Sequence, residues 1–189
     1  MEKIIQKKLM HFNNAGEAHA LTFSCHNRVP LLDKDRCRVW LLNAFAQACD
    51  RHAMQCLAWV IMPEHAHILV LPKDTGYDIS RFLQSVKQPV SIRAKRWLTE
   101  YDSAWLEKLS HTDAQGKVRF RFWLQGGGYD RNIRSDKALR QTIAYIHNNP
   151  VRRNFAQEPT AWLWSSARWY AEGCTGSIFE HAQPPDLWS

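Results

Sequence analysis

No stretch of this 189-residue sequence is apolar for the roughly 18–20 residues that span a bilayer, so no membrane partner is expected. The opening Met-Glu-Lys-Ile-Ile-Gln-Lys-Lys-Leu-Met carries charge where a secretory signal needs an apolar core, so no such signal is expected. Glycine and proline are scarce, eight of each, which excludes collagen-like and low-complexity chains. The five cysteines (Cys25, Cys37, Cys49, Cys56 and Cys174) contain no Cys-x-x-Cys pair. That spacing supports no zinc finger, and an odd, scattered set reads as reduced thiols in a cytoplasmic protein. The chain is shorter than the about 200 residues of the smallest eight-fold β/α barrels, and its length suits one domain. Acids are also in deficit: 18 Asp and Glu stand against 25 Lys and Arg, a net charge of +7.

What is present is a globular composition, 45% hydrophobic with a mean hydropathy of −0.45. The basic excess is concentrated. Between Arg119 and Arg153 there are eight basic residues and two acids, Asp130 and Asp136, so this segment holds +6 of the net charge. Clustered arginine suits planar, bidentate contacts to phosphate. Nine tryptophans accompany it. Basic and aromatic residues together suit nucleic acid, whose phosphates and unstacked bases need those two partners. A solvated basic face with tryptophans in the core fits the composition equally.

Residues 18–25 alternate and are rich in β-formers, which predicts a strand. A helical stripe of Val39, Leu42, Phe45, Ala46 and Cys49 predicts a helix over 34–51, capped by Asp33 or Asp35, with Cys37 and Cys49 in the core. Runs at 56–62 and 65–71 are apolar on both faces, which predicts a hairpin buried on two sides. Asp78 can cap a helix carrying Ile79, Phe82, Leu83 and Val86, which Pro89 should kink or interrupt before 93–98. Residues 117–124 read as a strand with Arg119 and Arg121 on one face, followed by a turn at 126–128. Ser135 should cap a helix that Pro150 ends at Asn149. The order β-α-β-β-α-β-α predicts an α+β fold, a ferredoxin-like antiparallel sheet with packed helices. Residues 1–155 then form the main domain. Residues 156–189, Trp-rich and then turn-rich with Pro184 and Pro185, form a C-terminal extension.

Two groups of residues carry chemistry. His65 and His67 are two apart on a predicted strand, so both side chains share one face, with Cα atoms roughly 6.5–7 Å apart. Two imidazoles so placed can converge on a divalent metal. Two satisfied structural histidines at a strand start would carry the same pattern. On the 135–149 helix, Leu139, Ile143 and Ile146 form the apolar stripe. Gln141, Tyr145 and Asn149 follow one another at one-turn spacing beside it, while His147 points nearly opposite. A phenol can attack a phosphodiester when a metal stabilises the developing charge, and the Asn149 amide oxygen could complete the ligand set. A core-edge tyrosine and a helix-capping asparagine would also fit these positions.

Residues 62–70, Met-Pro-Glu-His-Ala-His-Ile-Leu-Val, resemble the His-hydrophobic-His (HUH) motif of single-tyrosine transposases. Residues 145–152, Tyr-Ile-His-Asn-Asn-Pro-Val-Arg, resemble their tyrosine helix. Residues 123–131, Trp-Leu-Gln-Gly-Gly-Gly-Tyr-Asp-Arg, and 162–168, Trp-Leu-Trp-Ser-Ser-Ala-Arg, are similar to further segments of the REP-associated tyrosine transposases. These act at repetitive extragenic palindromes, and the resemblance extends over about residues 18–170.

The resemblance implies a ferredoxin-like catalytic domain, a divalent metal (Mg2+ or Mn2+) and single-stranded or hairpin DNA as substrate. It places the nucleophile at Tyr145, metal ligands at His65 and His67, and the third ligand at Asn149, where relatives carry different polar residues. Attack by Tyr145 would give a 5′-phosphotyrosine and a free 3′-OH, and the reverse step would join strands. Arg119, Arg121, Arg131, Arg152 and Arg153 are candidate DNA contacts, and Tyr129 or Trp123 a candidate stacking residue, with Trp123 better suited to the core. Glu64 stands where the family commonly has Asn; it reads as a solvated turn residue, or else as a hydrogen-bond partner of a ligand histidine. A hairpin-binding protein that keeps the fold without chemistry is the alternative, and a small-phosphoester hydrolase a more distant one. Either a monomer or a homodimer fits.

Overall fold

The computed structural model describes residues 16–126 and 128–179. The charged opening segment and the Pro184–Pro185 pair lie outside the described residues. Strand β1 (Ala18–Ser24) is followed by helix α1 (Asp35–Arg51), then by the antiparallel hairpin of β2 (Met54–Ile61) and β3 (His65–Pro72). Helix α2 (Ile79–Tyr101) leads through a short helix α3 (Ser103–Lys108) to a two-stranded ribbon, β4 (Ser110–Thr112) and β5 (Val118–Phe120). Strand β6 (Tyr129–Ile133), helix α4 (Asp136–Arg152) and a short helix α5 (Ala167–Ala171) follow among the described residues. The main sheet runs β2-β3-β1-β6, antiparallel throughout, which is the ferredoxin-like order expected of an α+β chain.

Both faces of the sheet are covered, which is why the hairpin is apolar on both sides. Leu21, Phe23, Trp59, Ile61, Ile68 and Val70 form one core with α1 and α2. Ala58, Val60, Leu69 and Ile133 form the second with Ile146 of α4. All five cysteines are free, and Cys37 and Cys49 are in the first core as expected.

Several local expectations are corrected. The fourth sheet strand is β6, not 117–124; β5 pairs locally with β4 instead. Strand β6 is polar, and a buried network holds it from behind. His19 meets Asp130 at 3.0 Å through Nδ1 and Tyr77 at 2.9 Å through Nε2. Neither Asp33 nor Asp35 caps α1; Lys34 occupies that position, and Arg38 binds Asp35 at 2.9 Å and Asp33 at 3.5 Å. Pro89 does not interrupt α2, because Val86, Val90 and Ala94 keep one buried stripe across it and outweigh the single lost hydrogen bond. Asp78 does cap α2, accepting from Ser80 and Arg81 backbone N–H groups.

Residues 156–179 fold against the main sheet. Ile61 N–H donates to Trp164 O at 2.8 Å and Ser166 N–H to Trp59 O at 3.0 Å, while the Tyr170 hydroxyl reaches Leu57 O.

Gly128 has φ +78°, and a Cβ there would lie 2.1 Å from the Thr22 carbonyl oxygen. Only glycine lets the chain enter β6 this close to β1. Gly128→Ala should cost about 2 kcal/mol or more, from left-handed backbone and the clash together. Thermal melting checks it: a drop of about 4 °C or more is expected for a chain of this size, and an unchanged midpoint would refute the close approach.

Candidate active site

The site is set by sheet register. His67 pairs with Thr22 and His65 with Ser24 across β3 and β1. Alternation sends Ala66 and Ile68 into the α1/α2 core and turns His65 and His67 towards α4. The two Nε2 atoms stand 3.0 Å apart, with the rings edge to face. His65 Nδ1 lies 3.0 Å from Glu64 Oε1, and a carboxylate at that position holds the proton on Nδ1. His67 Nδ1 is 2.7 Å from the Thr22 hydroxyl. Both rings are kept neutral. Burial, reinforced by neighbouring His65 and Arg153, pushes His67 down to about 3. Burial also lowers His65, with Glu64 opposing. Neutral imidazole is the form that binds metal.

Glu64 is therefore not a solvated turn residue; it is the hydrogen-bond partner of His65. Its side chain is only 13% exposed and also accepts from the Arg153 guanidinium. Burial works against its charge, but Arg153 and His65 hold the carboxyl below its usual range.

Helix α4 brings the second group. Ser135 caps it, accepting from Ala138 N–H at 3.2 Å. Leu139, Ile143 and Ile146 press on the sheet, as expected. Tyr145, one turn before Asn149, lies edge-on to His67 with ring centroids 5.5 Å apart. Asn149 is buried and its Nδ2 donates to His67 Nε2 at 3.1 Å. It is not a helix cap: α4 continues through Pro150 to Arg152. Proline lacks only the N–H that would reach back one turn, so the last turn closes with Arg153 N–H on Asn149 O. The extra turn carries Arg152 over Tyr145, guanidinium carbon to ring centroid 5.1 Å. His147 points away, bonded to Ser166 at 2.9 Å and lowered to about 4 by burial.

His65, His67, Tyr145, Asn149, Arg152 and Arg153 thus line one cleft of about 340 Å3, joined by Thr22, Ser24 and Arg28. Sequence reasoning missed these last three. For Thr22 and Ser24 the signal lies in strand pairing, since they alternate on β1 opposite the two histidines. Tyr129 and Arg131 line an adjoining cleft. Arg119 lies on the β4–β5 ribbon, bound to Asp113 at 2.8 Å, and neither it nor Arg121 lines either cleft. Trp123 is buried, its indole N–H donating to Lys87 O.

The donor set suits a divalent metal. Among the described residues no three His, Cys, Asp or Glu cluster as metal ligands, so a third protein donor to a metal here would come from another residue type. Asn149 Oδ1 could be that donor: it is buried and has no hydrogen-bond partner, and the Nδ2 of the same amide lies 3.1 Å from His67 Nε2. A buried carbonyl left unsatisfied in this way costs about 1–3 kcal/mol, which a bound cation would recover. Among the described residues no helix is long and apolar enough to cross a membrane.

Residues 16–149 match the family model described as "Transposase IS200 like", and the chain belongs to that family. It is 25% identical over 126 residues to a protein of Haemophilus influenzae named, provisionally, a REP-associated tyrosine transposase. That match covers 66% of this chain and 65% of the relative, so the chain spans just under two thirds of the relative's length. The fold also aligns with the solved structure of a REP-associated tyrosine transposase bound to a REP hairpin. The TM-score is 0.68 at 17% identity, covering 97% of this chain and 94% of that one.

Proposed function

We propose that this chain is a metal-dependent endonuclease and strand transferase acting on single-stranded, hairpin-forming DNA, with Tyr145 as nucleophile. One observation carries the reading: the Tyr145 ring packs directly on His67, within the His65–His67–Asn149 set. The family and the hairpin-bound structural neighbour support DNA as the substrate.

His65 Nε2, His67 Nε2 and Asn149 Oδ1 would hold Mg2+ or Mn2+; the two imidazoles favour Mn2+. When bound, the metal polarises the scissile phosphate and offsets the charge that develops on it. Glu64 keeps the His65 proton on Nδ1, leaving Nε2 as a donor. The Tyr145 oxygen forms a bond to phosphorus as the bond to O3′ breaks. The phenol loses its proton, the departing strand gains one, and a 5′-phosphotyrosine and a free 3′-OH result. Attack by another 3′-OH reverses the step and joins strands. Arg152, unpaired with any carboxylate among the described residues, is placed to hold the phosphate above Tyr145.

The test is a denaturing gel of wild-type protein with a 3′-labelled hairpin oligonucleotide and Mn2+. A labelled band of protein plus DNA fragment is expected. Hairpin binding without any such band would instead identify a binding protein that lacks the chemistry.

A further inference from the structure

Thr22, His67 and Tyr145 line two clefts at once. The second, about 520 Å3, opens on the other side of Tyr145, between β1, β6 and α4. Its volume falls within the range of small-ligand sites. Strand pairing builds one wall: Tyr129 stands opposite Thr22 and Arg131 opposite Ala20, so both side chains face α4. Gln141, one turn before Tyr145, forms the facing wall, with Ala138 and Ile146 as apolar floor.

Thr22 and Thr142 of this cleft are bonded to His67 and to Ala138 O, but Arg131 and Gln141 are uncommitted among the described residues. In the same basic segment Arg119, Arg134 and Arg153 are tied to Asp113, Glu17 and Glu64. Among the described residues, Arg131 has no ion pair and Gln141 no hydrogen bond. Tyr129 is 54% exposed at the rim. A planar cation fork, an amide and an exposed aromatic face around an apolar floor are the groups that bind a base: by stacking on the ring and by paired bonds to its edge.

We infer that this second cleft receives one unpaired base, from a nucleotide flanking the scissile phosphate, and that Arg131 and Gln141 select a purine there. The inference rests on the proposed function, since it assumes the phosphate lies in the first cleft. A phosphate held there beside Tyr145 leaves a flanking base no nearer enclosed space than the contiguous second cleft. Arginine and glutamine pair bidentately with the edges of guanine and adenine. Thymine offers the Arg131 fork no two adjacent acceptors, and cytosine, which offers N3 and O2, lacks the second ring that stacks on Tyr129.

The experiment uses hairpin oligonucleotides in which each single-stranded position in turn carries each of the four bases or an abasic residue. Binding is measured with Tyr145→Phe protein, so that no chemistry is needed, and adduct formation with wild type. At one position purines should bind about tenfold or more tighter than pyrimidines or the abasic residue, and wild type should cut beside that position. Arg131→Met keeps the apolar length of the side chain but removes every donor, and should erase the preference while leaving melting unchanged. Gln141→Ala should reduce it. Equal affinity for all bases at every position, or a preference that survives Arg131→Met, overturns the inference even where adducts form. A preference that depends on Arg131, with no adduct on any oligonucleotide, overturns the nuclease reading and leaves the base site standing.

Discussion

Tyr145→Phe protein should melt as the wild type does, bind hairpin DNA with unchanged affinity and form no covalent adduct. The substitution removes one oxygen. Tyr145 is 45% exposed, and among the described residues its hydroxyl makes no hydrogen bond, so no buried group is orphaned. The ring keeps its edge contact with His67 and its place under Arg152. Loss of a covalent nucleophile costs several orders of magnitude in rate in other enzymes, on the order of 10³-fold or more. Timed sampling of the labelled hairpin reads this directly. Persistent adduct would move the nucleophile elsewhere, first to Tyr129, which faces the adjoining cleft. Persistent cleavage without adduct would point to activated water.

The second large effect is expected from the metal. Chelation of wild-type protein with EDTA should stop adduct formation, on the order of 10³-fold, and Mn2+ or Mg2+ should restore it. Chelation is the cleaner test because truncating His67 also strips partners from the Thr22 hydroxyl and the Asn149 amide. His65→Ala, at the cleft edge, should abolish Mn2+ binding measured by calorimetry while hairpin affinity falls much less, because Arg152 and Arg131 remain. An adduct rate indifferent to chelation would make the histidines structural and the metal reading wrong.

The His-x-His strand and the Tyr145–Asn149 helix face are legible in the sequence because each depends only on local periodicity. So is the two-sided burial of the hairpin, whose apolar runs leave no face for water. What the sequence hides is long-range. Glu64 sits next to His65, but its partner Arg153 is 89 residues away, and without that guanidinium a turn carboxylate reads as solvated. Strand β6, Tyr-Asp-Arg-Asn-Ile, has one strongly apolar residue, since it lies at a sheet edge with Tyr129 and Arg131 at the second cleft and Asp130 in the His19 network. The alternation at 117–124 is real, yet it serves a ribbon rather than the sheet. Pro150 likewise reads as a stop, and only the packing of the final turn shows that it is not.

The two borders of the sheet are finished differently. Beside β2, the segment through Trp164 and Ser166 occupies the backbone groups of Trp59 and Ile61. Beside β6 no strand pairs among the described residues, and the exposed Arg131 places charge along that border. Uncovered borders invite pairing with another chain, and charge discourages it. Shortening the chain ahead of Trp162 would bare the apolar β2 border and expose Trp59, converting a discrete particle into one prone to stack edge to edge and precipitate.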